Sequence, residues 1–245
     1  RYEQLETVRG RSVAILMPPT AEGIAAIAAL DGLNANTYLL AAELKEIDQQ
    51  EIARRFGIPF VLTPPTNTDQ SWNIQRIGVS ESAEAKVDNN STSVTIMTSG
   101  TEGNAKAASH TWSTLGRPVR TSSSQKVQRW LLSYRVQLYA GLQVMLQSLL
   151  NFGTLLIPAP GESPDNVVQL MLQGQCTHAS ATPSYWRRLL LFADRPLLGK
   201  IDLRQITLGG EAADQQILDS LQSTFPSARI AHIYATTELG RCFSV

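Results

Sequence analysis

Three short segments carry residues that could hold and activate a charged small molecule. The first reads Met97-Thr98-Ser99-Gly100-Thr101-Glu102-Gly103-Asn104-Ala105-Lys106. Its glycines let the backbone approach a polyanion, its hydroxyls and amides can donate to phosphate oxygens, and Lys106 adds a positive charge. By composition it is a phosphate cradle. It is not the common nucleotide P-loop, which needs Gly-Lys-Ser/Thr together where this chain has Ala105-Lys106-Ala107. A polar turn between a strand and a helix would satisfy the same composition. The second segment is Leu208-Gly209-Gly210-Glu211-Ala212 and the third is Tyr234-Ala235-Thr236-Thr237-Glu238-Leu239-Gly240. Paired glycines after a strand expose amides and carbonyls that can read the edge of a base, and Tyr234 offers a face for stacking. Thr237 and Glu238 bring a hydroxyl and a carboxylate, hard oxygen ligands suited to Mg²⁺. Each also has a plain structural explanation: a tight strand-helix turn at Gly209-Gly210, and an acid near a helix start at Glu238.

The elements needed to position these segments are legible as alternating β-rich runs and helical stretches, the mark of parallel strands joined by crossover helices. Strands are expected at Ser12 to Leu16, Thr37 to Leu40, Phe60 to Leu62, Val94 to Met97, Arg129 to Leu132, Thr154 to Ile157, Gln205 to Leu208 and Arg229 to Tyr234. Between them, Thr20 should cap one helix and Asp48 another. A helix is expected near Thr111 to Val119. Leu142, Met145, Leu146, Leu149 and Leu150 recur at helical spacing. Ser163-Pro164-Asp165 is a helix opening with cap, proline and acid in order, and Pro183 to Phe192 and Ala213 to Phe225 complete the set. If the strands are parallel, the loops leaving their carboxyl ends open on one edge, where open α/β sheets bind ligands. Residues 66–92 are polar apart from a strand-like Ile74 to Val79 and read as a connection. The expected division is therefore 1–65 as part of a first α/β subdomain, 66–92 as connection, and 93–245 as a second subdomain.

Composition removes other classes. The chain has 245 residues, 43% of them hydrophobic, with 21 Lys+Arg balancing 21 Asp+Glu, so it can bury a core and offers no basic stripe for nucleic acid. No apolar run is long enough for a membrane span. Cys176 and Cys242 match no metal or redox spacing and are expected as free thiols in a cytoplasmic setting. His110, His178 and His232 lack ligand spacing, no serine sits in a nucleophile elbow, and the turn after Leu16 has no dinucleotide glycine fingerprint. The chain begins at Arg1 and ends on Cys242-Phe243-Ser244-Val245, which reads as a fragment.

Together, in order, the three segments resemble the signature motifs of the adenylate-forming superfamily: acyl- and aryl-CoA ligases, peptide-synthetase adenylation domains and luciferases. Thr98 to Lys106 is similar to that family's Thr-Ser-Gly-Thr-Thr-Gly-x-Pro-Lys loop, and Tyr234 to Glu238 to its Tyr-Gly-x-Thr-Glu. Leu203-Arg204 through Glu211 resembles its adenine-side segment, and Thr177 to Pro183 the strand and helix opening before it. The resemblance runs from about Gly10 to Val245. It implies an α/β fold of layered, mostly parallel β-sheets flanked by helices, like the N-terminal domain of acyl-CoA synthetases, ending before the β-barrel part and the C-terminal lid.

The resemblance further implies ATP and Mg²⁺, a carboxylic acid converted to an acyl-adenylate, and transfer to a thiol of CoA or carrier-protein pantetheine. It assigns Thr98, Ser99, Gly100, Thr101, Gly103 and Lys106 to the phosphates, and Gly209, Gly210, Glu211 and Tyr234 to adenine. Thr237 would meet the α-phosphate and Glu238 would bind Mg²⁺, with Thr237, Glu238 and Lys106 as the catalytic set. Tyr139, Ala140, Gly141 and Ser180 would line the acid pocket. Glu102, Ala105 and Ala235 depart from the family pattern, and Tyr134 to Gly141 stands where many acyl ligases carry an aromatic-His pair. No carboxylate in that stretch could pair an α-amino group, so a plain acyl or aryl acid fits better than an amino acid. The alternative is a non-catalytic nucleotide-binding or scaffold domain that retains the fold.

Overall fold

In the first 115 residues the buried runs pair into one sheet. The computed structural model describes residues 3–66, 71–79, 92–99, 105–121 and 127–245, and its contacts divide the chain into two units, Arg1–Leu115 and Gly116–Val245. In the first unit β1 (Ser12–Met17), β2 (Asn36–Ala41), β3 (Phe60–Thr63), β4 (Asn73–Arg76), β5 (Ser93–Ser99) and β6 (Ala105–Thr111) form a six-stranded sheet in the order β4-β3-β1-β2-β5-β6. The inner pairs are parallel, while β4 and β6 close the two edges antiparallel. Val13 to Met17 are buried throughout, as a central parallel strand requires. Between β1 and β2, α1 (Ala21–Leu30) opens where the Thr20 hydroxyl accepts a bond from the Gly23 amide at 3.2 Å.

Three expectations need correction here. First, α2 (Glu46–Arg55) starts two residues before Asp48, with Lys45 at the cap position and no side-chain cap bond; Asp48 sits in the first turn, where it complements the dipole. Second, the helix expected near Thr111 to Val119 is present but short, and a strand that was not expected precedes it. Residues Ala105 to Thr111 pair antiparallel with β5, from Ser99↔Ala105 to Ser93↔Thr111, and only the short α3 (Trp112–Gly116) follows. A run of Ala, Ser and Lys has little β propensity of its own, and strand pairing decides its state. Third, β5 and β6 belong to the first sheet, so residues 93–115 group with what precedes them and the boundary falls after Leu115 rather than within 66–92.

The second unit repeats the rhythm with β7 (Arg129–Leu132), α4 (Tyr139–Leu149), β8 (Thr154–Leu156), α5 (Pro164–Gln173) and β9 (His178–Ala181). It continues through α6 (Pro183–Phe192), α7 (Arg195–Leu198), β10 (Gln205–Gly209), α8 (Gln215–Thr224), β11 (Arg229–Thr236) and β12 (Gly240–Ser244). The sheet order is β12-β11-β10-β9-β7-β8, parallel except for β12. Helix starts follow local chemistry: Ser163, Thr182 and Asp214 each accept a bond from the amide three residues on, at 3.2, 3.1 and 2.9 Å. A proline follows Ser163 and Thr182 where its missing N–H costs nothing. One face of this sheet carries the core: Ala179, Ala181, Ile206 and Leu208 join Val168, Met171, Trp186 and Leu221 in one cluster of fully buried side chains. Among the described residues no helix is long and apolar enough to cross a membrane, and both cysteines are free thiols.

Candidate functional site

Because β10 and β11 are parallel neighbours, the turn after β10 leaves the sheet beside the last residues of β11. Gly209 pairs with Ile233 in the register. The turn after β10 is fixed from three directions. The Tyr134 hydroxyl donates to the Gly209 carbonyl at 3.2 Å. The Ser184 amide, at the start of α6, donates to the Glu211 carboxylate at 2.9 Å. The His232 ring lies 3.0 Å from the Glu211 carbonyl oxygen. Hydrogen bonds from Ser184 are the main reason the Glu211 carboxyl is held below its ordinary range, while burial pushes the Tyr134 phenol up to about 12 and keeps it a donor.

The segment after β11 is the tip of a hairpin, which the sequence did not disclose. Strand β12 returns antiparallel, with Thr236 opposite Gly240, so Thr237, Glu238 and Leu239 form the tip. The Leu239 amide donates to the Thr236 hydroxyl at 3.1 Å, Thr237 is half-buried and Glu238 is exposed. Gly240 has a φ of 75°, and a Cβ there would stand 2.8 Å from the Tyr139 hydroxyl. Glycine is therefore required both for the left-handed backbone and for the close approach. The Tyr139 hydroxyl also bonds the backbone at Arg241, so α4 braces the base of this hairpin. Tyr234 stacks on Phe243 with ring centres 5.2 Å apart and keeps 54% of its surface exposed.

Beside this hairpin a cavity of about 480 Å³ lies between α4 and the face of the second sheet turned away from the core. Strand parity selects its floor. His178 and Ser180 on β9, Gln205 and Thr207 on β10, and Arg229, Ala231, Ile233 and Ala235 on β11 line it, while the residues between them on β9 and β10 join the core. From α4 it receives Tyr139, Ala140, Gln143, Val144 and Gln147, one stripe at helical spacing. Arg241 of β12 closes it next to the hairpin tip. Three of the four anticipated pocket residues, Tyr139, Ala140 and Ser180, are therefore here. Gly141 is not. Its Cβ would fall 2.1 Å from the Arg135 carbonyl oxygen, so it lets α4 pack against the preceding turn.

The phosphate-type segment lies in the first unit. Thr98 and Lys106 face each other across the β5–β6 pair, Lys106 is exposed and Thr98 half-buried, and Ser99 ends β5. Gly100, Thr101, Glu102, Gly103 and Asn104 lie outside the described residues. The structure thus brings together the second and third segments with Tyr139, Ala140 and Ser180.

Several residues of this site were not anticipated. Tyr134, Ser184 and His232 hold the turn at 209–211, and Arg241, His178, Thr207 and Arg229 line the cavity. The alternation of β11 could have revealed Arg229, Ala231 and Ile233. Nothing local could have revealed Arg241, because β12 was not recognised as a strand. Among the described residues no group of three His, Cys, Asp or Glu could by itself hold a metal ion. An exposed carboxylate at a hairpin tip, Glu238 beside Thr237, fits a Mg²⁺ whose other ligands are phosphate oxygens and water.

Comparison with known proteins shows the family and the fold. The AMP-binding enzyme family matches residues 3–245. Among curated proteins none matches the chain in sequence. The fold is similar to the R195K variant of Escherichia coli MenE with bound OSB-AMS, at a TM-score of 0.73 and 21% identity, covering 100% of this chain and 55% of that one. It is also similar to the N-terminal domain of FACL13 from Mycobacterium tuberculosis, at a TM-score of 0.71 and 20% identity, covering 94% and 64%. The Klebsiella oxytoca NpsA N-terminal subdomain in complex with 3-hydroxyanthranilyl-AMSN gives a TM-score of 0.75 at 17% identity, covering 100% and 65%. The chain spans about half to two thirds of the length of these proteins.

Proposed function

Because this chain belongs to the AMP-binding enzyme family, we propose that it forms the nucleotide-binding part of an enzyme that activates a carboxylic acid as its acyl-adenylate. The observation that carries this reading is the adjacency on β10 and β11. The Gly209–Glu211 turn leaves β10 beside Ile233, β11 carries on from there to the Thr237–Glu238 tip, and Ala235 and Arg241, which flank the tip, both line the cavity. A nucleotide at the edge and an acid in the cavity would meet at the hairpin.

In this reaction an oxygen of the acid attacks the α-phosphorus of ATP, the bond from that phosphorus to the β-phosphate oxygen breaks, and pyrophosphate leaves. Two anions must be held against their repulsion, so the protein's work is positioning and charge stabilisation. We assign Gly209, Gly210, Glu211 and Tyr234 to adenine, Thr237 as donor to the α-phosphate, and Thr98, Ser99, Gly100, Thr101, Gly103 and Lys106 to the phosphates. Glu238 would hold Mg²⁺, which supplies countercharge to the phosphates when bound. Tyr139, Ala140 and Ser180 would contact the acid. In the full-length protein a thiol of CoA or of a carrier protein then attacks the acyl carbonyl and releases AMP, with a C-terminal lid completing that site. Two free thiols and a CoA-type acceptor suit a reducing cytoplasm.

Acid-dependent exchange of pyrophosphate into ATP by the full-length protein tests the reading. Glu238→Gln should lower exchange by roughly two orders of magnitude, the usual cost of losing an electrostatic partner of the transition state. Unchanged exchange in this variant would remove Glu238 from the mechanism. ATP binding without exchange for any acid would favour the non-catalytic alternative.

A further inference from the structure

The cavity is lined by positive charge. Arg120, Arg229 and Arg241 line it, and among the described residues no Asp or Glu does. Two of these arginines lie at the end away from the proposed nucleotide. Trp130, His178, Gln205 and Arg229 fall in one register row across four strands, at the amino-terminal ends of β9, β10 and β11. That row is four residues before the Gly209–Ile233 row, a distance of roughly 13 Å along extended strands. Arg120 reaches the same end by a separate route. Its amide and carbonyl bind the Gln147 side chain at 3.2 and 2.8 Å. Gln147 is two turns along α4 from Tyr139, which braces the nucleotide-side hairpin, a displacement of about 12 Å.

The neutral groups in this row are already engaged. The Trp130 indole donates to the Gln128 amide oxygen at 2.9 Å, the Gln205 amide to the Thr207 hydroxyl at 3.3 Å, and the His178 Nδ1 lies 2.7 Å from the Thr177 hydroxyl. The Arg229 guanidinium makes no hydrogen bond or ion pair among the described residues. A site for a plain aliphatic tail would put apolar side chains at this end, where Arg120 and Arg229 are instead exposed. Here it ends in planar donors suited to a carboxylate or another oxyanion.

We propose that the acid activated by this protein carries a second anionic group at its far end, bound by Arg229 and Arg120. This rests on the adenylation reading only for the position of the reacting carboxylate. The test compares two non-hydrolysable probes of equal length, octanoyl- and suberyl-sulfamoyl-adenosine, by calorimetric binding to the full-length protein. The suberyl compound should bind about tenfold tighter, because it adds a charge-assisted pair with Arg229. Arg229→Gln and, independently, Arg120→Gln should collapse that ratio, and Arg229→Lys should keep part of it. Equal binding of both probes overturns the inference and leaves adenylation standing. A suberyl preference untouched by either glutamine variant also overturns it, because the anion is then read elsewhere. Binding of neither probe overturns the adenylation reading, and this proposal with it.

Discussion

On β10, Ile206 and Leu208 join Trp186 and Leu221 in the core, while their immediate neighbours Gln205 and Thr207 face the cavity. The same split runs along β9, where Ala179 and Ala181 are sealed and His178 and Ser180 are not. One sheet thus presents a dry face and a polar face, interleaved residue by residue, because successive side chains of a strand point opposite ways. The lesson is that packing and recognition can change independently here. A substitution at an even position of β10 should act on folding, and one at an odd position on ligand choice.

Breaking the dry face should have the largest effect. Ile206 is fully buried, and Ile206→Ala removes three carbons from a packed cluster without a way to refill the space. We expect a loss of about 3 kcal/mol, within the range for such truncations, read as a lower urea midpoint at unchanged slope. Thr207→Ala, one residue on, should shift stability by less than about 1 kcal/mol yet alter the ranking of acids in pyrophosphate exchange. Equal destabilisation by both variants would refute the division of the sheet.

This parity explains what was legible in the sequence. Strands β7, β8, β10 and β11 of the second unit stand where apolar β-rich runs placed them, because a parallel strand needs enough β-branched and aliphatic residues to be recognised. The caps at Thr20 and Ser163 were legible because a hydroxyl before a helical run serves a local need. Two antiparallel edges, β6 and β12, were not. Strands β6 and β12 read Ala-Lys-Ala-Ala-Ser-His-Thr and Gly-Arg-Cys-Phe-Ser, and they are strands because a neighbour pairs with them. With β12 went Arg241 and the recognition that Thr237 and Glu238 form a hairpin tip. The motif residues themselves were found by resemblance, whereas Tyr134, Ser184 and His232, which hold the turn they flank, come from elements distant in sequence.

A smaller effect should separate the two faces by pH. The His178 ring belongs to the polar face, where burial first and the charge of Arg204 second lower its pKa to about 4 from an ordinary 6.5. The folded protein therefore binds fewer protons than the unfolded chain between these values. Stability is fully present above about pH 6.5, falls as pH drops, and levels off below about pH 4. The full shift corresponds to roughly 3 kcal/mol, and the ring's partial exposure reduces this to about 1 to 2 kcal/mol. Urea titrations of the wild type and His178→Gln at pH 7 and pH 4.5 measure it. The variant should lose less stability on acidification, and parallel losses would show that the ring is not the group responsible.

The most delicate test concerns the contact that joins the sheet edge to the preceding strand. Tyr134 follows β7 and gives its proton to the Gly209 carbonyl at the end of β10, two strands away in the sheet order. Tyr134→Phe keeps the ring and its packing and removes one hydrogen bond, which should cost about 1 kcal/mol. The same carbonyl opens the turn assigned to adenine, so losing its donor frees Gly209 to shift. AMP should then bind roughly threefold more weakly, a further few tenths of the same energy scale, while His178→Gln leaves AMP affinity alone. If Tyr134→Phe lowered stability but left AMP binding at the wild-type value, the turn would be rigid without this bond, and its rigidity would rest on Ser184 and His232.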